Sequence, residues 1–230
     1  MKNEVRGVHN NPFTCMLDPR TLRSVRKTLR KQIDFERSLA FDKFGHSPVA
    51  DNSEYSLGFN LHSLYAEMGA KNLPIFLKVY DLSLEGASII DVGGANPGFL
   101  NALAEKTGAN FDGTFTSLSD FPQGENTRFK YKKMAAEIPP PEFYKKFDLV
   151  VSMNGPLVWS AFPELSLKNL IKMVKPGGHL FLGIHHNLHD KSFSPRGLIF
   201  GSPEIETSMP LFLKDANGSG TLEFLFAEVK

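Results

Sequence analysis

The chain has one cysteine, Cys15, among 230 residues. That excludes an intramolecular disulfide framework and predicts a reducing compartment. No apolar run approaches the ~20 residues that a membrane-spanning helix needs, and the opening "MKNEVRGVHNN" lacks the apolar segment of a signal peptide. The expectation is a soluble protein, cytoplasmic or in another reducing intracellular compartment. Charge of one sign is also missing: 26 basic residues face 25 acidic ones, for a formal net charge of +1. Any nucleic-acid surface must therefore be local. Internal repeats and low-complexity segments are absent. Aromatics are skewed, with one Trp and five Tyr against twenty Phe, which predicts a Phe-rich core.

With 41% hydrophobic and 22% charged residues, the chain can bury one large core. Residues 1–19 read as a polar arm. From Pro19 to Arg37, "PRTLRSVRKTLRKQIDFER" has helical period, with Leu22, Val25, Leu29 and Ile33 on one stripe. Arg20, Arg23, Lys27, Arg30 and Lys31 fall on the opposite face. That face is a candidate for RNA, or the helix docks on a protein partner, or it is an ordinary solvated face. Asn60–Met68 reads as a short helix and "PIFLKVYDLSL" as another after Pro74.

Beyond this point strands alternate with helical patterns. "ASIIDV", "FDGTFTSL", "FDLVVSM" and "HLFLGI" read as strands; "GFLNALAEKTG" and "PELSLKNLIKMV" read as helices. Such alternation predicts βαβ units and a parallel sheet. The end, "PLFLKDANGSGTLEFLFAEV", reads as an antiparallel hairpin around Asn-Gly-Ser-Gly. The expected fold is an α/β, Rossmann-like sandwich with an antiparallel edge. The expected division is an arm and helical extension over 1–72 and an α/β domain over 73–230.

The strongest local signal is "IIDVGGANPGFL", a strand that runs into a glycine-rich turn and a helix. Such a turn lies at the carboxyl edge of the sheet, where open α/β sheets bind ligands. Gly93, Gly94 and Gly98 permit a tight turn and leave room beside the backbone, and helix N-terminal amides follow. The spacing does not fit G-x-G-x-x-G. Asp91, ahead of the glycines, either organises the loop or holds an ammonium group.

This segment resembles the first motif of class I S-adenosylmethionine-dependent methyltransferases, and most of all the FtsJ-like ribose 2′-O-methyltransferases. "FDLVVSMNGP" resembles their strand-four motif, and "MVKPGGHLFLGI" the turn into strand five. The resemblance spans roughly Leu73 to Val229. It implies S-adenosylmethionine as cofactor, held by Asp91, Gly93, Gly94, Ala95, Asn96, Pro97, Gly98, Ser117 and Met153. The usual strand-two acid is replaced by Ser117, with Asp120 three residues on. A serine forgoes the charge-assisted bonds a carboxylate makes, so weak or lost cofactor binding is expected.

FtsJ-like enzymes carry a Lys-Asp-Lys-Glu set. By resemblance Lys78 stands for the first lysine and Glu223 for the glutamate. Met153 occupies the aspartate position with Asn154 beside it; Gly183 occupies the second lysine position, with His185 the nearest titratable group. A ribose hydroxyl is a weak acid, and its deprotonation requires a base with a lowered pKa. Two readings follow: an RNA-directed methyltransferase with altered chemistry using Lys78, Asn154 and Glu223, or an inactive relative that binds RNA or a protein. "HHNLHD" (185–190) holds three histidines, but zinc sites usually draw ligands from more than one segment and the one cysteine is far away in the chain, so no metal is expected; without a long apolar run, no membrane partner is expected either.

Overall fold

The computed structural model describes Arg23, Lys27 and residues 56–94, 96–118, 127–153, 155–159, 162–185, 195–214 and 221–230. The chain divides into two compact units, Met1–Asp51 and Asn52–Lys230. In the first, Arg23 and Lys27 are helical and exposed; the rest of the basic stretch 20–37 lies outside the described residues.

In the second unit the two short helices expected around Asn60–Met68 and after Pro74 are one helix, α1 (Ser56–Val79). It runs through the expected boundary at 72/73. A proline inside a helix removes one hydrogen bond. Here an apolar stripe outweighs that cost: Ala66, Ala70, Leu73, Phe76 and Leu77 are buried at helical spacing. Just past its last residue, Asp81 takes a left-handed φ of 52°. Beyond it the Leu82 amide closes back on the Leu77 carbonyl at 2.8 Å, a role of the Schellman type.

The sheet has seven strands: β1 (Ser88–Asp91), β2 (Asp112–Ser117), β3 (Lys130–Lys133), β4 (Phe147–Met153), β5 (Val174–His185), β6 (Ile205–Lys214) and β7 (Thr221–Val229). Their order is β3-β2-β1-β4-β5-β7-β6. The first five are parallel. β7 inserts antiparallel between β5 and β6, so the hairpin forms as expected. β3 was not legible beforehand: "KYKK" is an edge strand with mostly exposed side chains, and it carries no apolar alternation.

Helix α2 (Gly98–Thr107) follows β1 and is capped by Gly108 at φ 66°. The short α3 (Pro156–Trp159) and α4 (Pro163–Met173) follow β4, and α5 (Pro195–Phe200) precedes β6. No described helix is long and apolar enough to cross a membrane.

Strand alternation sends side chains to two cores. One, under α1 and α2, contains Phe76, Ile89, Phe99, Phe115, Val151, Met153, Phe181, Phe224 and Phe226. The other, under α4 and α5, contains Ile90, Val92, Val150, Leu170, Leu182, Leu225 and Ala227. The phenylalanines concentrate in the first, with Phe76 stacked on Phe226 at 5.3 Å and Phe181 on Phe224 at 5.6 Å.

Candidate functional site

The carboxyl edge of the parallel strands is where β1 turns into α2. Asp91 ends β1, beside Phe115 of β2 and Val151 of β4 in register. Its side chain points to the face covered by α1 and α2, as alternation from Ile89 requires. It is 1% exposed, and its Oδ1 has no hydrogen-bond partner among the described residues. Burial in this setting pushes the carboxyl pKa up to about 7.

Gly93 has φ 81°, and its amide donates to Thr116 Oγ1 at 3.0 Å. A Cβ there would meet Pro156 Cδ at 2.7 Å. A Cβ on Gly94 would collide with the Asp91 carboxylate, and one on Gly98 would meet Asn96 Oδ1 at 2.7 Å. The same Asn96 oxygen accepts the Gly98 amide at 2.8 Å. At Gly93 and Gly94 the turn comes so close to Pro156 and Asp91 that a Cβ has no space, and Gly93 also needs its left-handed φ.

On the same face and edge stand Ser117, half-buried at the end of β2, and Met153, 2% exposed at the end of β4. Pro97 precedes α2 and is buried beside Phe99. Asp91, Gly93, Gly94, Asn96, Pro97, Gly98, Ser117 and Met153 thus gather at one edge. Ala95, Asn154 and Asp120 lie outside the described residues, as does the side chain of His185.

Lys78 does not join this group. It is exposed in the last turn of α1, where its charge complements the helix C-terminus. Gly69 of the same helix faces Met153, and nine residues of helix place Lys78 about 14 Å farther along, toward the amino edge. Glu223 departs in another direction. Leu222, Phe224 and Phe226 enter the α1/α2 core, so Glu223 enters the opposite face, with Leu225 and Ala227. It is 1% exposed there, with Arg196 Nε of α5 4.0 Å from its Oε1. Lys78 and Glu223 lie on opposite faces of the sheet, so no shared proton-transfer site joins them.

Met153 and Gly183 are register partners on β4 and β5 and pack against each other. A Cβ added to Gly183 would meet Met153 Sδ at 2.8 Å and Phe224 at 3.4 Å. Gly69 on α1 leaves space for the same sulfur. Met153 therefore spans from β4 to α1 and β5 as an apolar plug.

Thr116 and the Gly155–Pro156 step were missed in the sequence. Gly155 packs against the Val92 carbonyl, 2.8 Å from where its Cβ would stand. Their roles depend on β2, β1 and β4 being neighbours, and chain order does not state that.

No family model matches the sequence, and no curated protein matches it. Solved structures do match. A Burkholderia thailandensis 1,6-didemethyltoxoflavin-N1-methyltransferase, solved with 1,6-didemethyltoxoflavin and S-adenosylhomocysteine, is 11% identical with a TM-score of 0.57, over 94% of this chain and 92% of that one. A TehB-like SAM-dependent methyltransferase from Corynebacterium glutamicum is 17% identical with a TM-score of 0.51, over 70% and 86%. The CMeT domain of the citrinin polyketide synthase is 15% identical with a TM-score of 0.51; it matches 69% of this chain, which spans only 51% of that one. At these identities the likeness is one of fold. Strand order, the antiparallel β5-β7-β6 end and the glycine turn at the carboxyl edge agree with it: the chain has the Rossmann-like fold of S-adenosylmethionine-dependent methyltransferases.

Proposed function

We propose that the chain is an S-adenosylmethionine-binding protein of the methyltransferase type, with the 91–98 turn as its cofactor site. The observation that carries this reading is the buried Asp91 carboxylate with an unpartnered oxygen. A buried carboxyl without partners is costly unless something satisfies it. The ammonium group of the cofactor's amino-acid end is a fitting partner for Asp91. Ser117, at the end of the neighbouring strand, would meet the ribose hydroxyls, and amides at the start of α2 face the edge where the turn ends. The cofactor would supply an electrophilic methyl group; the chain's own part is to orient it and to exclude water.

RNA-directed ribose methylation is a finer reading carried by the motif resemblance and by the basic stretch 20–37. It would need a base other than the expected lysine set. The chain's second reading, a non-catalytic binding protein of the same fold, is favoured by Met153 and Gly183. An apolar pair stands where the proton chemistry would be. In either case the basic stretch 20–37 is the part we assign to RNA or a protein partner.

The test is calorimetric titration of the full chain with S-adenosylmethionine and S-adenosylhomocysteine. Binding near micromolar, about −8 kcal/mol, that weakens at least about tenfold in Asp91→Asn supports the site. Absence of heat up to about millimolar ligand, or equal affinity in Asp91→Asn, overturns it. If the cofactor binds and methyl transfer to RNA is absent, the second reading stands.

A further inference from the structure

β3 is the open edge of the sheet beside β2, and it concentrates positive charge. Residues 127–133, "TRFKYKK", hold four cations and no acid, while the whole chain has a net charge of +1. Arg128, Lys130, Lys132 and Lys133 are all exposed. Lys130 Nζ meets Asp112 at 2.8 Å, but both side chains are more than half exposed, and such a pair holds little against a competing phosphate.

Tyr131 packs toward Phe115 on the α2 face, with ring centroids 5.4 Å apart. Alternation therefore puts Lys130 and Lys132 together on the other face. Two residues of strand advance about 7 Å, the span of one extended nucleotide. Lys133 is the register partner of Ser117, so the basic row runs up to the carboxyl edge.

Charge alone fits any polyanion, and Arg128 narrows the choice. Its guanidinium carbon lies 4.6 Å from the Phe129 ring centroid and 5.7 Å from that of Phe111. The two rings are stacked at 5.5 Å and 11°, both are buried, and Phe129 sits over Gly113 of β2. This floor of two fixed rings holds an exposed guanidinium in place, and guanidinium planes stack nucleobases. A membrane surface fits less well: the exposed large apolar residues among those described are Ile75, Val79, Phe200 and Phe212, and none lies on β3. An acidic strand fits less well too, because β3 offers only four residues to pair with.

We propose that the outer edge of β3 binds single-stranded nucleic acid, with Lys130 and Lys132 on successive phosphates and Arg128 stacking a base. These residues are other than the basic stretch 20–37. Neither Asp91 nor the glycine turn takes part, so this surface stands or falls apart from the cofactor site.

The full chain is titrated into fluorescently labelled oligouridylate and oligothymidylate of about eight nucleotides, and anisotropy is read between about 50 and 200 mM salt. The expected Kd at the lower salt is about 100 μM or tighter for at least one of them, and the pair tells RNA from DNA. The double variant K130Q/K132Q is expected to weaken binding about tenfold and to lower the slope of log K against log salt by about 1.4, as for two single-strand phosphates. Arg128→Lys keeps the charge, so the slope is expected to hold while affinity falls about threefold or more with loss of the stack. Both variants change exposed side chains and are expected to leave the melting temperature unchanged. The proposal is overturned by absence of binding to both oligonucleotides, by unchanged affinity and slope in the lysine variant, or by unchanged affinity in Arg128→Lys. It is also overturned if an oligoglutamate peptide of equal length competes as well as unlabelled oligonucleotide.

Discussion

Asp91 is a carboxyl group in the wrong solvent. Its pKa rises from 3.8 to about 7 because burial penalises the charge. The sign of the consequence follows directly. Between those values the folded protein holds a proton that the unfolded chain has released. Stability therefore falls as pH rises from about 4 to about 7, and levels off above that. Asp91→Asn is expected to flatten this slope and to raise stability at pH 8 by up to a few kcal/mol, while weakening cofactor binding. Denaturant melts across pH, with and without S-adenosylhomocysteine, read both effects. A slope unchanged by the substitution would mean that Asp91 is not the titrating group. The same linkage predicts that an ammonium-bearing ligand displaces the proton, so affinity grows with pH up to about 7. At Ser117, substitution by Asp is expected to tighten cofactor binding about tenfold, because charge-assisted bonds to ribose hydroxyls are stronger; calorimetry measures it.

At the scale of elements, Met153 holds three segments together. Its sulfur occupies space that Gly69 on α1 and Gly183 on β5 leave open. Met153→Ala is expected to cost about 2–4 kcal/mol by leaving a cavity. Gly183→Ala is expected to cost about 1–3 kcal/mol by overpacking. The double variant should cost less than the sum, because the shortened side chain makes room for the new methyl group. Equilibrium unfolding of the four proteins gives the cycle, and additivity within about 0.5 kcal/mol would refute the plug. The end of α1 provides an independent check. Asp81 sits at φ 52°, where glycine is less strained, so Asp81→Gly is expected to gain up to about 1 kcal/mol in the same assay.

At the scale of the whole molecule, Asn52–Lys230 is a compact unit with its own two cores. Residues 52–230 expressed alone are expected to melt cooperatively and to keep the cofactor affinity of the full chain. If the basic stretch 20–37 binds RNA, the same truncation removes that binding, and in the full chain affinity falls steeply with salt. Filter binding at two ionic strengths, with both proteins, tests it. Equal RNA affinity in the truncated protein would move the RNA surface elsewhere.

Much of the fold was legible from order and period alone. "ASIIDV", "FDLVVSM" and "HLFLGI" announce buried parallel strands because side chains on both faces are apolar, and the Asn-Gly-Ser-Gly step announces the closing hairpin. The glycine turn and Asp91 were legible for the same local reason: strand, turn and helix succeed one another within twelve residues. α1 was read as two helices because Pro74 is a local breaker, and only packing against the Phe-rich face makes the helix continuous. What tertiary structure alone decided is convergence. Lys78 and Glu223 match a motif by position, yet helix length carries one toward the amino edge and strand alternation turns the other to the far face. Met153 and Gly183 read as two lost residues, yet in space they pack against each other. His179, thirty residues from Leu149 and forty-seven from Phe226 in the chain, meets both because β5 pairs with β4 and β7. Sequence determines which faces are apolar and where the chain turns. Which polar groups come together depends on strand order and register, and those are set by long-range pairing.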